Sequence, residues 1–199
     1  MFKDIRLKEE LYIGVDDSNH AGQNKKVEII LATFSYDSID GKVQRQSTRR
    51  DPGKVSSWLE QPNHDYRFTI LSDEDSRHRG YNVVLIAPLL IKAHLAELQH
   101  RVSRLSILCD GPIRKHHKRY IKTHFEEYDI NVEGFIKKSH HNGKLQSSHI
   151  MPYVVAAADT WANWLYTQSL ETLTTDSKMI ALSSLVVAEH DGQIRRFLE

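Results

Sequence analysis

The sequence has little or none of three features that would each mark a particular class of protein. It has a single cysteine, Cys109, which cannot form an internal disulfide. Its longest apolar run, from Val83 to Ile91, is about half of the roughly 20 residues that a membrane-spanning helix requires. No apolar N-terminal segment resembles a signal peptide. These absences predict a soluble protein of a reducing, cytoplasmic compartment that does not bind a membrane.

The sequence also lacks an excess of charge of either sign. Its 27 Lys and Arg residues are nearly balanced by 26 Asp and Glu residues, so the formal net charge is +1. Binding to a polyanion would therefore have to come from local clusters of basic residues. The 199 residues contain no internal repeat, low-complexity tract or linker-like segment, and this length suits a single domain over residues 1–199.

The hydrophobic patterns predict a mixed α/β domain in which helices cover a central sheet. The predicted strands cover residues 11–15, 27–36, 42–48, 66–71, 105–111 and 131–138. The predicted helices cover residues 55–60, 82–101, 112–128 and 150–168, although 83–87 could also be a strand. The first three strands are expected to form an antiparallel meander, with Asp40-Gly41 as one of its turns. The tail from residue 177 is expected to form a helix, or a strand followed by a helix.

Three aspartates lie where this order of elements could bring them together. Asp16 and Asp110 each end a predicted strand, and open α/β sheets bind ligands beyond the carboxyl ends of their strands. Asp159 interrupts the apolar middle of the last predicted helix, where three preceding alanines would let helix and sheet approach closely. A buried charge needs a partner, and carboxylate oxygens suit Mg²⁺ or Mn²⁺. The pattern predicts a metal site and metal-assisted phosphodiester hydrolysis.

Each aspartate also has an ordinary interpretation. An Asp after a strand is commonly a turn residue or a helix cap, and Asp159 could be a solvated residue beside an apolar stripe. Strand alternation would also point Asp17 away from Asp16 unless the strand has already ended. It is the combination of the three residues that favours the metal site.

Two short motifs carry a resemblance to a known superfamily. Ile13-Gly14-Val15-Asp16-Asp17 ends the first strand with an acidic pair, and Leu108-Cys109-Asp110-Gly111 ends a later strand with Asp-Gly. Together with a later helical acid, this order resembles the RNase H-like nucleases, above all the type-2 RNase H pattern. The resemblance implies an RNase H-like fold with a mixed five-stranded sheet, an antiparallel meander of the first three strands plus parallel strands, flanked by helices. It also implies a set of catalytic acids, namely Asp16, Asp17, Asp110 and Asp159.

The sequence departs from the type-2 pattern at two places. The segment Ser18-Asn19-His20-Ala21-Gly22 stands where the family has Gly-Arg-Gly, which contacts the nucleic acid around a ribonucleotide. Ser139-His140-His141 stands where a fourth acid is expected, so Asp159 is matched to that role instead. The hypothesis is therefore a nuclease with its own DNA or RNA substrate, for example a single-strand exonuclease that forms a homo-oligomer. The alternatives are a non-catalytic nucleic-acid-binding protein with a degenerate site, and an enzyme acting on small phosphates.

Basic and histidine residues are the predicted contacts to nucleic acid. A segment free of acids follows Asp110 and carries five cationic residues, Arg114, Lys115, Lys118, Arg119 and Lys122, with Tyr120 as a base-stacking residue if it is exposed. Three histidines near the last helix could contact phosphate or assist proton transfer, His140, His141 and His149. A second basic cluster comprises Lys42, Arg45, Arg49, Arg50 and Lys54. All of these could instead be solvated surface.

Cys109, Trp161 and Trp164 are interpreted as packing residues, and no zinc motif is present.

Overall fold

The structure, a computed structural model, describes residues 10–18, 27–37, 42–44, 51–72, 82–98, 102–135 and 150–188. Its strands are β1 (Glu10–Asp17), β2 (Val27–Ser35), β3 (Lys42–Gln44), β4 (His64–Ser72), β5 (Arg104–Asp110), β6 (Asp129–Phe135) and β7 (Ile150–Pro152). Its helices are α1 (Pro52–Leu59), α2 (Asn82–Glu97), α3 (Lys115–Thr123), α4 (Tyr153–Thr167), α5 (Leu170–Thr175) and α6 (Leu182–Ala188). The predicted order of strands and helices is therefore present in outline.

Five strands form one mixed sheet in the order β4-β2-β1-β5-β6. Strand β2 is antiparallel to both β1 and β4, whereas β5 is parallel to β1 and to β6. The predicted fold class, a mixed five-stranded sheet flanked by helices, is confirmed. The parallel pairing of β1 with β5 matters most for function, because it puts the carboxyl ends of these two central strands side by side.

The composition of the antiparallel meander was predicted wrongly. Strand β3 is not part of the large sheet but pairs with β7 in a separate two-stranded sheet. Strand β4 occupies the place next to β2 and pairs with it along nine residues, from Val27 opposite Ser72 to Ser35 opposite His64. Strand β2 is buried on both faces, so it needs a partner with apolar residues, which β4 supplies with Phe68 and Leu71.

Several predicted boundaries also change. The helix predicted over 112–128 is shorter and spans α3, and the helix predicted from 150 begins at Tyr153 because residues 150–152 form β7. Residues 83–87 belong to helix α2. In the described part of the tail, Met179 forms an isolated β-bridge with Phe68, and helix α6 follows it.

The helices bury the two faces of the sheet separately. One face carries Ile13 and Val15 of β1, and helices α2, α3 and α6 pack on it. The other face carries Leu31 and Phe68 and is covered by α4, with α1 and α5 beside it. Because side chains alternate along a strand, Gly14 and Asp16 lie on this second face. In the described part of the chain no helix is both long and apolar enough to cross a membrane.

Candidate metal centre

Helix α4 lies in direct contact with the centre of the sheet because the residues between them are small. Gly14 of β1 has no side chain at the crossing, and an added Cβ would collide with the backbone carbonyl of Val154. The hydroxyl of the fully buried Thr33 in β2 donates a hydrogen bond of 2.7 Å to the same carbonyl. The alanines at 156–158 are completely buried. This contact fixes the first turns of α4. It therefore also fixes the position along the strands at which Asp159 meets the sheet.

Three carboxylates from three elements meet beyond this contact. In the parallel pair, Val15 lies opposite Cys109, so Asp16 and Asp110 occupy corresponding positions one residue further on. Asp159 reaches them from α4. One ligand oxygen from each of these aspartates lies within 4.8 Å of the other two. The sequence prediction that they converge therefore agrees with the geometry.

The burial of Asp159 excludes its ordinary interpretation as a solvated residue, and the other two aspartates are also largely removed from water. Asp159 is 1% exposed and Asp16 is 9% exposed, while Asp110 is half-buried. Burial raises the pKa of Asp16 well above its ordinary value, and the charges of Asp159, Asp110 and Asp17 raise it further. A hydrogen bond from the backbone of Asp17 acts in the opposite direction. Burial and the neighbouring acids therefore both disfavour the ionised form of Asp16.

A divalent cation fits this donor set. Three carboxylate oxygens close together and largely removed from water are the ligands that Mg²⁺ and Mn²⁺ take. The ion would offset the mutual repulsion that raises the pKa of Asp16. The sulfur of Cys109 does not belong to this set, because it is buried in the core on the other face of the sheet. Burial first, then Asp16 and Asp110, raise the pKa of that thiol to about 12, which agrees with a packing role.

Asp17 does not join the group of three. Strand β1 continues through Asp17, so alternation directs its side chain to the face opposite that of Asp16. Its charge is still close enough to raise the pKa of Asp16. The structure therefore places Asp17 as an electrostatic neighbour of the site, whereas the resemblance implies a catalytic acid.

The basic segment begins directly after Asp110. Gly111 has a φ of 100°, a backbone conformation that favours glycine, and the chain then enters α3. Four of the five cationic residues are exposed, and the fifth, Lys118, is half-buried. The charge of Lys118 acts against the raised pKa of Cys109, the residue that precedes Asp110. Tyr120 packs against the core with its hydroxyl oxygen buried, so it does not present the exposed ring that base stacking requires.

Several predicted contacts lie outside the described residues, namely His140, His141, His149, Arg45, Arg49 and Arg50. Of the second basic cluster, Lys42 lies in β3 and Lys54 in α1, where Lys54 pairs with Asp51 at 3.4 Å. Trp161 is buried as expected. Trp164 stacks on it with a centroid distance of 4.3 Å and is 37% exposed.

The sequence analysis missed two residues near the site. Thr33 contacts Val154, and Asn163 contacts Asp159. The spacing of four residues between Asn163 and Asp159 was the available signal for the second of these.

No protein-family model matches the sequence, and no curated protein matches it. Among solved structures, the chain is similar to one described as the complex of PCNA and RNase HII from Archaeoglobus fulgidus, with 13% identity, a TM-score of 0.46, and coverage of 96% of this chain and 86% of that one. It is also similar to ribonuclease H2 from Pyrococcus horikoshii OT3, with 16% identity, a TM-score of 0.45, and coverage of 94% and 84% respectively.

Proposed function

We propose that this protein is a divalent-metal-dependent nuclease that hydrolyses phosphodiester bonds of DNA or RNA. The observation that carries the proposal is the group formed by the buried Asp16 and Asp159 and the half-buried Asp110, each with an oxygen within 4.8 Å of the others. Burial and the neighbouring carboxylates disfavour the ionised form of Asp16, and a bound divalent cation would offset this cost. The order of these acids along the chain, which resembles that of the RNase H-like nucleases, agrees with the proposal.

The three aspartates would hold the metal, and the fold gives each a distinct position. Asp16 and Asp110 are fixed by the two central parallel strands, and Asp159 by the contact of α4 with Gly14 and Thr33. A bound divalent ion at such a site supplies activation of water and stabilisation of the leaving oxygen of a phosphodiester. Asp17 would act on the site through its charge. A two-ion mechanism, single-strand exonuclease action and a homo-oligomeric state are finer forms of the same proposal.

Helix α3 would guide the nucleic acid to the site. Lys118 and Lys122 are four residues apart and so lie on one face of the helix. Arg114 is the N-cap residue of the helix, and Lys115 and Arg119 are exposed nearby. The segment starts within a few residues of Asp110. A cationic face beside the carboxylates would hold phosphates that the acids alone would repel.

Removing two exposed positive charges from helix α3 should weaken nucleic-acid binding mainly at low salt. We expect the double variant Arg119→Gln, Lys122→Gln to bind a single-stranded oligonucleotide less tightly. The slope of log K against log salt should fall by about 0.7 for each phosphate that the protein no longer neutralises. Fluorescence anisotropy in Ca²⁺ at several salt concentrations would measure this. The matched control is Lys92→Gln, an exposed lysine of α2, and equal slopes for both variants would contradict the role of α3.

The proposed activity can be tested with one panel of substrates. Labelled single-stranded, duplex and hybrid oligonucleotides are incubated with Mg²⁺, Mn²⁺ or EDTA, using the wild type and Asp110→Asn. The proposal predicts cleavage that requires the metal and is lost in Asp110→Asn, which should still bind the oligonucleotides in Ca²⁺. A ladder of products from one end would support exonuclease action, and a single cut would support internal attack. Binding without metal-dependent cleavage would instead favour the non-catalytic alternative.

A further inference from the structure

Asn163 contacts Asp159 from the next turn of helix α4. Its side-chain Nδ2 lies 3.4 Å from Oδ1 of Asp159 and 2.5 Å from the backbone oxygen of the same residue. Asn163 is half-buried, whereas Asp159 is almost completely buried. The amide thus reaches both the carboxylate and the backbone carbonyl of one residue.

The chemistry of an amide suits this position better than that of a charged donor. A neutral N–H can fix the orientation of the carboxylate without adding a positive charge that would compete with a cation. A carboxylate that is held in one rotamer binds a metal more tightly than one that must be ordered on binding, because less conformational entropy is lost. In the buried surroundings of Asp159 a hydrogen bond is also stronger than in water.

We propose that Asn163 is a positioning residue that holds the carboxylate of Asp159 in the orientation required for binding a divalent cation. This inference rests on the proposed function, because it assumes that Asp16, Asp110 and Asp159 form the metal site. It adds a residue of α4 that none of the sequence motifs indicates. The effect of Asn163 should therefore appear in metal binding itself, before any substrate is present.

Mn²⁺ titration of the full-length protein by calorimetry is the direct test. We expect Asn163→Ala and Asn163→Leu to bind Mn²⁺ at least about tenfold more weakly than the wild type, in the range found when the outer partners of metal ligands are removed. The leucine variant keeps most of the volume and so separates the loss of the amide from the loss of packing. Asn163→Gln, which retains the donor, should recover part of the affinity. Thermal melts in EDTA would report the folding of each variant.

The C-cap residue of helix α4, Gln168, offers a matched control. Gln168 also donates a side-chain amide to the backbone carbonyl four residues before it, at 3.3 Å from the oxygen of Trp164. Trp164 is not an acid, so Gln168→Ala removes the same kind of bond away from the carboxylates. It should leave the Mn²⁺ affinity unchanged. An equal loss in both variants would show a general effect on the helix and would overturn the proposal.

A double-mutant cycle links the effect to Asp159. In an Asp159→Asn background, replacing Asn163 by alanine should no longer reduce the remaining Mn²⁺ affinity, because its partner carboxylate is gone. A full loss in that background would overturn the positioning role. If the wild type itself binds no Mn²⁺, the proposed metal site fails. If the wild type binds Mn²⁺ and Asn163→Leu binds it equally well, only the inference about Asn163 fails.

Discussion

Replacing Asp16 with asparagine is expected to stabilise the metal-free protein and to abolish its stabilisation by Mn²⁺. The variant removes one of three like charges from a buried site, and each unit by which a pKa is raised corresponds to about 1.4 kcal/mol. A gain of at least about 1 kcal/mol, or about 2 to 4 °C in melting temperature, should be seen in EDTA near neutral pH. Metal-dependent cleavage should be lost, because Asp16 is one of the three proposed ligands. Such an opposition of stability and function is typical of binding sites.

The pH dependence of this gain provides a second measurement. The pKa of Asp16 is raised in the folded protein, so the folded state keeps a proton that the unfolded state would release. The metal-free wild type therefore loses stability as the pH rises from the ordinary carboxyl pKa of 3.8 through the raised value. Asp16→Asn lacks this loss, so the difference in melting temperature should be small near pH 4 and should grow towards neutral pH.

Melts in EDTA across this pH range would test the explanation. Glu126→Gln, an exposed position after α3, is the control for removing a negative charge from the surface. It should change the melting temperature little at any pH. A stabilisation by Asp16→Asn that is equally large at pH 4 and pH 8 would contradict the burial of Asp16 and its repulsion by the other carboxylates as the source.

Sequence patterns identified the strands of the sheet well but did not determine the order of the strands within it. The strands containing Asp16 and Asp110 could be recognised because each is a short apolar run ending in a polar turn. Which strand lies beside β2 depends on pairing between segments distant in sequence. The turn at Asp40-Gly41 suggested a local hairpin to β3, yet β4 offers nine residues of pairing and a buried apolar side chain on each face, Phe68 and Leu71. The longer hydrophobic interface outweighs the local turn.

The site prediction likewise depended both on local sequence patterns and on contacts between segments that are distant in sequence. The convergence of Asp16 and Asp110 follows from the parallel arrangement of two strands, which the general rule for α/β sheets anticipates. Asp159 could be placed on the packed face of its helix because of the alanines before it. The role of Thr33 could not be predicted, because its contact with Val154 joins residues 121 positions apart. The opposite direction of Asp17 depended on whether β1 continues past Asp16, which a short strand pattern does not show.

Gly14→Ala is expected to destabilise the fold and to weaken the metal site together. The new methyl group would collide with the backbone carbonyl of Val154, which a rotamer change cannot relieve, so α4 must move away from β1. Overpacking of this kind costs about 3 kcal/mol, which corresponds to a fall of about 6 to 12 °C in melting temperature. Because α4 carries Asp159, the additional stabilisation by Mn²⁺ should also shrink.

The appropriate control for this variant is a glycine that is free of such a collision. Gly53, in the first turn of α1, is exposed, and an added Cβ would meet only the flexible side chain of Asp51 at 3.3 Å. Gly53→Ala should leave the melting temperature unchanged or raise it slightly, since alanine favours a helix by up to about 1 kcal/mol over glycine. Thr33→Val tests the same contact without added volume, because it removes the hydroxyl that donates to the carbonyls of Val154 and, at 3.4 Å, of Gly14. If Gly14→Ala matched Gly53→Ala in both stability and Mn²⁺ response, the close contact of α4 with β1 would not be what positions Asp159.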